Sequence, residues 1–285
     1  MTRDARQRRH RPSGARTATF FTAFITTFTV FILAALLAGC LFGGGGDAGP
    51  ENGQDQGGET VGEVKIRWYG HACFLITSPG GTRVLTDPYP GNMGYGNRRF
   101  EADLVTVSHE HFDHNSVASV EGDPEVVRGL AGDDWAQVEK TVGDVTVWSI
   151  RGTYHDEAQG SERGKNALFL IETGGLRILH LGDLGEVPSA EIAERAGRVD
   201  VLLVPVGGVF TVDAEGATRV TELFDPRIVI PMHFRTPAIA DWQISDERPF
   251  LEGKSGVKRL GVAEVAVSAD TLPAEREIWV LDVSP

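Results

Sequence analysis

The sequence predicts a layered α/β domain in which two β-sheets pack face to face and helices lie outside them. After residue 61, strand-like runs outnumber helical stretches. The helical stretches fall between some of the strands and do not alternate with all of them. Regular alternation would favour a doubly wound parallel sheet, so this pattern favours a sandwich.

The predicted strands follow the alternation of apolar and polar residues. Val64, Ile66 and Trp68 alternate with polar residues, which indicates a half-buried strand. Residues 73–77 and 82–86 then flank a Pro-Gly-Gly turn and predict a hairpin. Further strand-like runs are residues 104–108, 145–150, 167–172, 176–181, 201–206, 228–231, 262–268 and 278–283.

Helices are predicted for residues 189–196, for residues 213–224 and for the region around Trp135. Each stretch begins near a Ser or an Asp. The side-chain oxygen of such a residue can accept a hydrogen bond from a free backbone amide in the first helical turn. The helices are therefore expected to be few and short.

The first 60 residues differ in composition from the rest. Six arginines and one aspartate within residues 1–16 precede an uncharged apolar stretch, residues 17–37, which is the arrangement of an export signal. Residues 41–60 are rich in Gly, Asp, Glu and Gln and predict a flexible tether. The predicted organisation is a signal over residues 1–39, Cys40 with a tether over residues 40–60, and one domain over residues 61–285.

The apolar stretch ends in Leu37-Ala38-Gly39-Cys40, which resembles the lipobox of bacterial lipoproteins. The resemblance implies cleavage before Cys40 and lipid attachment to its thiol, so that the domain is extracytoplasmic and attached to the cell membrane. Alternatively, the stretch stays uncut and spans the bilayer, for which about 20 apolar residues suffice. In both cases the arginines hold the N-terminus in the cytoplasm, and the domain faces outward.

The chain is acidic, with a formal net charge of −13 that becomes −18 when residues 1–39 are removed. Such a surface argues against nucleic-acid partners and against a second, electrostatic attachment to anionic lipid. The two cysteines are Cys40 and Cys73, so lipidation of Cys40 would exclude an intramolecular disulfide. Cys73 lies within a predicted strand and is interpreted as a small buried residue.

Three of the eight histidines lie within the six residues His109-Glu110-His111-Phe112-Asp113-His114, directly after an apolar strand. Residues i and i+2 of an extended chain project to one side, so His109 and His111 can bind one metal ion. Asp113 and His114 then lie beside a second position, where a carboxylate and an imidazole suit a metal such as zinc. This segment contains no cysteine, which argues against a closed structural site.

The motif resembles the His-x-His-x-Asp-His signature of the metallo-β-lactamase superfamily, and later segments resemble the further motifs of that family in the same order. They are Tyr154-His155-Asp156, His180-Leu181-Gly182-Asp183-Leu184-Gly185 and Pro231-Met232-His233. The resemblance implies an αββα sandwich with two metal ions at one edge between the sheets. It also implies that His155 completes the first metal site, Asp183 bridges both sites and His233 completes the second.

Three further segments resemble the ascorbate-6-phosphate lactonase-like branch of this superfamily: Tyr69-Gly70-His71-Ala72, Thr86-Asp87-Pro88-Tyr89 and Val206-Gly207-Gly208-Val209-Phe210-Thr211. True β-lactamases usually lack the bridging Asp, so the resemblance of Asp183 to that residue argues against antibiotic hydrolysis. Flavodiiron relatives replace the second His of the first motif by Glu. Position 111 is His here, which argues against redox iron chemistry.

Several residues beside these motifs have two interpretations. His71, Asp87 and His180 can hydrogen-bond a ligand and fix its tautomer, or they can make ordinary hydrogen bonds in the core or in loops. Arg98 and Arg99 follow the Asp87-Pro88 turn. They can bind an anionic substrate if their loop folds over the site, or they belong to a solvated loop.

The residues and the resemblance together imply a metal-dependent hydrolase. Two divalent metal ions, with Zn as the first candidate and Mn or Fe as alternatives, would share a water molecule and supply hydroxide near neutral pH. Hydroxide would attack an ester, lactone or phosphodiester bond of a small-molecule or lipid-derived substrate, while Asp113 orients it and accepts its proton. The alternatives are a phospholipase D-like phosphodiesterase, which an apolar lip at the site would favour, and a non-catalytic metal-binding or sensing module.

Overall fold

Two packed β-sheets form the domain in the computed structural model, which describes residues 62–285 and confirms the layered α/β sandwich. The predicted signal segment, Cys40 and the tether lie outside the described residues. In chain order the strands are β1 (Val64–Gly70), β2 (Cys73–Thr77), β3 (Arg83–Thr86), β4 (Phe100–Glu101), β5 (Leu104–Val107), β6 (Val120–Glu121), β7 (Glu125–Arg128), β8 (Leu130–Ala131), β9 (Asp134–Trp135), β10 (Glu139–Val142), β11 (Val145–Tyr154), β12 (Lys165–Thr173), β13 (Leu176–His180), β14 (Val201–Pro205), β15 (Ile228–Met232), β16 (Val257–Arg259), β17 (Glu264–Val267) and β18 (Glu277–Val280). The α-helices are α1 (Ala190–Ala196), α2 (Ala214–Phe224) and α3 (Arg248–Leu251), and short 3-10 turns cover Val117–Ser119, Pro237–Ile239 and Ala269–Thr271.

The direction of the strands determines which edge of the sandwich carries the loops. The six-stranded sheet has the order β17-β1-β2-β3-β5-β7, and the eight-stranded sheet has the order β10-β11-β12-β13-β14-β15-β18-β16. Strands β3, β5 and β7 are parallel, as are β13, β14 and β15. Because one antiparallel neighbour separates β1 from β3 and β11 from β13, β1 and β11 point the same way as these parallel strands. Within each sheet, the carboxyl ends of these strands therefore share one edge.

The six-stranded sheet is covered on both faces. In β2, Phe74 and Ile76 belong to the main apolar core with the eight-stranded sheet, whereas Cys73 and Leu75 pack into a second apolar cluster on the other face. This alternation follows from the two-residue period of a strand. Cys73 is fully buried, as its position in a strand predicts.

The loop that carries Arg98 and Arg99 is part of this second apolar cluster. Tyr95 is 5% exposed and packs there. Arg98 donates a hydrogen bond to the carbonyl of Pro285, and Arg99 donates one to the carbonyl of Ala118. Both arginines therefore fasten the loop to the domain, and neither lines the cleft described below.

Helices α1 and α2 contact the eight-stranded sheet and begin where the sequence predicts them. The carboxylate of Asp213 accepts a hydrogen bond from the backbone amide of Gly216 at 2.8 Å, which caps α2. Ser189 occupies the corresponding position of α1 but makes no capping hydrogen bond with its side chain. Within residues 62–285, no helix combines the length and hydropathy needed to cross a membrane.

The predicted helix around Trp135 is wrong. Asp134–Trp135 is a short strand that pairs with Leu130–Ala131. The indole Nε1 of Trp135 donates hydrogen bonds to the carbonyls of Thr153 and Asn166. These tertiary contacts hold the segment extended along the end of β11 and β12, which overrides the local helical preference.

Replacement of Asp213 by Ala tests the cap of α2. We expect the free energy of unfolding to fall by about 1 kcal/mol, because the amide of Gly216 loses its acceptor. Urea denaturation of Asp213→Ala measures this loss. Ser189→Ala is the matched control and should cost less than Asp213→Ala, because Ser189 makes no cap bond. Equal losses in the two variants would contradict the assignment of the cap.

Candidate metal centre

All predicted metal ligands lie at one edge of the sandwich, because each follows the carboxyl end of one of the strands that point to this edge. His71 joins them there. In chain order the residues are His71 after β1, the motif from His109 to His114 after β5, His155 after β11, Asp183 after β13 and His233 after β15.

His109, His111 and His155 form the first cluster. The ring centroids of His109 and His111 lie 4.6 Å apart, and His155 lies 4.9 Å and 4.8 Å from them. One nitrogen from each ring lies within 4.8 Å of the others. His109 and His155 are buried, whereas His111 is exposed. Three imidazoles in this arrangement could hold one metal ion and leave a coordination position open.

Asp113, His114, His233 and His71 form the second cluster, and their ligand atoms also lie within 4.8 Å of one another. Nε2 of His71 lies 3.0 Å from Nε2 of His114 and 3.2 Å from Oδ2 of Asp113. Sequence reasoning assigned His71 at most a role behind a ligand, whereas the structure places it among the candidate ligands. Burial, together with His233, lowers the pKa of His71 to about 4, so a neutral ring can offer a lone pair near pH 7.

Asp183 lies between the two clusters and is 2% exposed. Its Oδ2 is 3.1 Å from Nε2 of His155 in the first cluster and 3.1 Å from Nε2 of His114 in the second. Its Oδ1 is 3.3 Å from Nε2 of His233. Burial alone would raise the pKa of Asp183, but His114 and His233 hold it well below the usual range. An ionised carboxylate at this position can contact a cation on either side.

Unpartnered buried atoms show that the site fits metal ions. Within residues 62–285, Nε2 of His109, Nε2 of His155 and Oδ1 of Asp183 are buried and make no well-oriented hydrogen bond, although nitrogens of His155 and His233 lie 3.1 and 3.3 Å from the Asp183 carboxylate. Each such atom costs about 1–3 kcal/mol, and native proteins leave few of them unsatisfied. Both clusters offer only nitrogen and carboxylate oxygen donors, a set that suits zinc and also manganese or iron.

Asp87 and Ser108 orient two of the histidines. Oδ2 of Asp87 accepts hydrogen bonds from Oγ of Ser108 at 2.5 Å and from Nδ1 of His114 at 3.0 Å. Oγ of Ser108 also lies 2.9 Å from Nδ1 of His109. Because both Nδ1 atoms are engaged, the Nε2 atoms of His109 and His114 carry the lone pairs that face the site. Sequence reasoning missed Ser108. The one sequence feature that could have identified it is its hydroxyl group, which lies between an apolar strand and the first motif.

His180 has a different role from Asp87, since its hydrogen bonds go to the backbone. Its Nε2 donates to the carbonyl of Ala72 at 2.9 Å, and its Nδ1 accepts from the amide of Gly182 at 3.3 Å. These residues adjoin His71 and Asp183. His180 therefore joins the turns that carry two cluster residues, and it belongs to neither cluster of the described residues.

The backbone at the site is held in costly conformations. His71, Asp87 and His233 have positive φ angles of 54°, 39° and 50°. Non-glycine residues in this region cost about 1–3 kcal/mol and concentrate at functional sites. Gly185 shows the tightness of the packing, because a Cβ at this position would lie 2.3 Å from the carbonyl carbon of His155. The site therefore depends on backbone positions as well as on its ligands.

An open cleft of about 570 Å³ leads to both clusters. Beyond the cluster residues it is lined by Phe112, Phe210, Trp242, Gln243 and Arg163. Phe112 and Phe210 are 64% and 41% exposed. Phe112 and Phe210 lie within segments that the sequence analysis recognised, but sequence reasoning did not bring the five residues together, because they lie on separate loops.

Comparisons with known proteins show the family of this chain. A family model described as a β-lactamase superfamily domain matches residues 65–233. A UPF0173 metal-dependent hydrolase from Anaeromyxobacter sp. (strain K) is 33% identical over 235 residues, which cover 70% of this chain and 85% of the relative. A UPF0173 protein from Pyrococcus furiosus is 37% identical over 194 residues, which cover 62% of this chain and 87% of that protein.

The solved structure of a metallo-β-lactamase superfamily protein from Thermotoga maritima has a TM-score of 0.62 and 31% sequence identity. The match covers 78% of this chain and 100% of that chain. Relatives that are named metal-dependent hydrolases favour an enzyme over a non-catalytic binding module. The chain belongs to the metallo-β-lactamase superfamily and, within it, to the UPF0173 family of metal-dependent hydrolases.

Proposed function

We propose that this hydrolase uses two divalent metal ions, one on each side of Asp183, to cleave an ester, lactone or phosphodiester bond. The position of Asp183 carries the proposal, because its carboxylate lies 3.1 Å from histidine nitrogens of both clusters. When bound, the ions would polarise the scissile group and make hydroxide available near neutral pH. Zinc is the first candidate because the Thermotoga maritima protein is described as Zn-dependent.

The two clusters divide the work of holding the ions. His109, His111 and His155 would hold one ion; His71, Asp113, His114 and His233 would hold the other; and Asp183 would contact both. The hydrogen bonds of Asp87 and Ser108 keep the imidazoles of His114 and His109 turned towards the ions. The protein therefore presents its donors in position before the substrate enters.

We propose that Asp113 is the side chain that orients the attacking water and accepts its proton. It lines the cleft and is 14% exposed. Burial alone would raise the pKa of Asp113, but His71 and His114 hold it below its usual range, so the carboxylate is ionised and accepts a hydrogen bond from water.

In the reaction, the water oxygen bonds to the carbonyl carbon or phosphorus, and the bond to the alcohol oxygen breaks. The proton of the water passes through Asp113 to the leaving alcohol, and an acid and an alcohol result.

Replacement of His111 by Ala tests the proposal. We expect the variant to lose about one metal equivalent and to hydrolyse its substrates at least about 100-fold more slowly, since even residues that only orient a ligand contribute about 10–100-fold. Elemental analysis and a panel of esters, lactones and phosphodiesters, run with Zn and with Mn, give both results. Glu110→Gln is the control, because Glu110 pairs with Arg128 and belongs to neither cluster. Unchanged hydrolysis in His111→Ala would rule out the proposed role of the first cluster.

A phospholipase D-like phosphodiesterase is the second candidate, and one observation favours it. Phe112, Val209 and Phe210 are exposed beside the site and form the apolar lip that a lipid substrate needs. The resemblance of three sequence segments to lactonase-like relatives instead supports a lactone. Phosphatidylcholine vesicles and a lactone in the same panel separate the two: release of choline supports the first, and lactone opening alone supports the second.

We also propose that the hydrolase acts outside the cytoplasm as a lipoprotein anchored through Cys40. The support is the arginine-rich N-terminus, the apolar residues 17–37 and the lipobox-like Leu37-Ala38-Gly39-Cys40. Full-length protein from a bacterial host is expected in the membrane fraction, cleaved before Cys40 and with acyl chains detected by mass spectrometry. Cys40→Ser should stay uncleaved. A mature mass that retains residues 1–39 in the unaltered chain would instead support the transmembrane anchor.

A further inference from the structure

We infer that the substrate is an anionic amphiphile: an apolar acyl or aryl group contacts the aromatic rim of the cleft, and an oxyanion remote from the scissile bond binds Arg163. This inference rests on the proposed function, because the same cleft holds the scissile bond. The proposed function names only the bond that is cleaved, whereas this inference also names the apolar group and the oxyanion that the substrate carries beside that bond.

The apolar rim is concentrated at the cleft. Among the described residues, the large exposed hydrophobic side chains are Phe112, Val209, Phe210 and Val262, and the first three lie at or beside the cleft. Trp242 lines the same cleft. Apolar side chains scattered over a surface need no explanation, whereas a group of them around a cleft marks a binding site for an apolar partner.

Arg163 is the one arginine or lysine that lines this cleft among residues 62–285. Its guanidinium carbon lies 5.8 Å from the ring centroid of Phe210, and its side chain is 33% exposed. Within 4.0 Å it has a single carboxylate of the described residues, the exposed Glu162, at 3.9 Å. By contrast, Arg83 and Arg198 each have a carboxylate oxygen at 2.8 Å. The guanidinium of Arg163 therefore retains donors for a ligand.

A short loop holds Arg163 in place relative to the first cluster. Asp156 directly follows His155 and is 3% exposed. Its carboxylate accepts hydrogen bonds from the backbone amides of Gly160, Glu162 and Arg163, at 3.0, 3.3 and 2.7 Å. The loop begins at His155 and ends at Arg163, and these hydrogen bonds to Asp156 hold its backbone in place. Asp156 acts as a positioning residue for Arg163.

The chemistry of the cleft then defines the substrate. Guanidinium binds carboxylate and phosphate through paired, charge-assisted hydrogen bonds, and it also stacks on aromatic faces. The other charged residues that line the cleft are Asp113, which belongs to the second cluster, and Asp183, which contacts histidines of both clusters. An anion remote from the scissile bond consequently has Arg163 as its partner. The apolar part of the substrate lies between them, against Phe112, Phe210 and Trp242.

Calorimetric titration of the metal-loaded, full-length protein tests this without requiring turnover. The ligands are straight-chain monocarboxylates and dicarboxylates of about six to ten carbons, which share one carboxylate for the clusters and differ at the far end. We expect one chain length at which the dicarboxylate binds about tenfold more tightly than the monocarboxylate. A phosphate monoester in place of the far carboxylate should show the same gain.

Variants show which residues produce the tighter binding of the dicarboxylate. Arg163→Gln should abolish the advantage of the second anion and leave monocarboxylate binding unchanged, while Arg195→Gln, an arginine outside the cleft, should preserve the advantage. Monocarboxylate affinity should rise about fourfold per added methylene. Phe210→Ser should reduce that increment, and Val262→Ser is its matched control, since Val262 is exposed away from the cleft.

The outcomes separate this inference from the proposed function. Equal binding of monocarboxylates and dicarboxylates at every length, or an advantage that survives Arg163→Gln, would overturn the inference even if esters are hydrolysed. An Arg163-dependent advantage supports the inference. If that advantage occurs while no ester, lactone or phosphodiester is cleaved, hydrolysis at this site is contradicted and the anion site stands.

Discussion

Asp183→Asn is expected to empty both metal clusters and to lower hydrolysis at least about 1,000-fold, which exceeds the roughly 10–100-fold effect of residues that only orient a ligand. The amide has nearly the shape of the carboxylate but no negative charge, and its NH2 group would face the histidines. Because Oδ2 lies 3.1 Å from both His155 and His114, one substitution should disturb both sites. Elemental analysis after gel filtration measures the metal content, and circular dichroism verifies the fold.

Asp123→Asn is the control for this experiment, because Asp123 is exposed and belongs to neither cluster. It should keep the metal content and the rate of the unaltered protein. Retention of two ions by Asp183→Asn would show that the carboxylate does not join the clusters. Loss of a single ion would show that it belongs to one of them only.

Asp87→Asn is expected to weaken metal binding by about 10–100-fold, although Asp87 lies behind the ligands. Its Oδ1 accepts a hydrogen bond from the backbone amide of Ser108, and its Oδ2 accepts hydrogen bonds from Oγ of Ser108 and Nδ1 of His114. In either orientation, the NH2 group of Asn would therefore face a donor. His114 and His109 then lose the contacts that turn their Nε2 atoms towards the site. Competition with a metal chelator measures the affinity.

Asp144→Asn is the matched control for Asp87→Asn. The carboxylate of Asp144 also accepts hydrogen bonds from a serine hydroxyl and a backbone amide, those of Ser78 and Gly80, but it lies outside the clusters. Both variants should lower the free energy of unfolding, and only Asp87→Asn should lower metal affinity. Equal metal affinities in the two variants would contradict the orienting role of Asp87.

The fold class could be predicted from the sequence because strand periodicity is local information. The strand at Trp135 could not be predicted from local sequence, because the indole is held by hydrogen bonds to the carbonyls of Thr153 and Asn166, which are distant in sequence. The N-terminal caps of α1 and α2 could not be distinguished from the sequence either. Asp213 and Ser189 have equivalent positions, yet only Asp213 makes the capping bond, which depends on side-chain orientation.

The candidate ligands could be predicted because they stand in short motifs directly after strands. His71 could be located only roughly, since its approach to His114 requires β1 and β5 to end at the same edge of a sheet. Ser108 belongs to no motif, and its role depends on a hydrogen bond to Asp87. Arg163 and Phe210 meet across two loops, and neither periodicity nor spacing marks such a contact.

Anomalous diffraction at the zinc absorption edge, from crystals of the zinc-loaded protein, shows how many metal ions bind and where. The structure predicts two peaks on either side of Asp183, one among His109, His111 and His155, the other among His71, Asp113, His114 and His233. A single peak in one cluster, or peaks away from both clusters, would contradict the account.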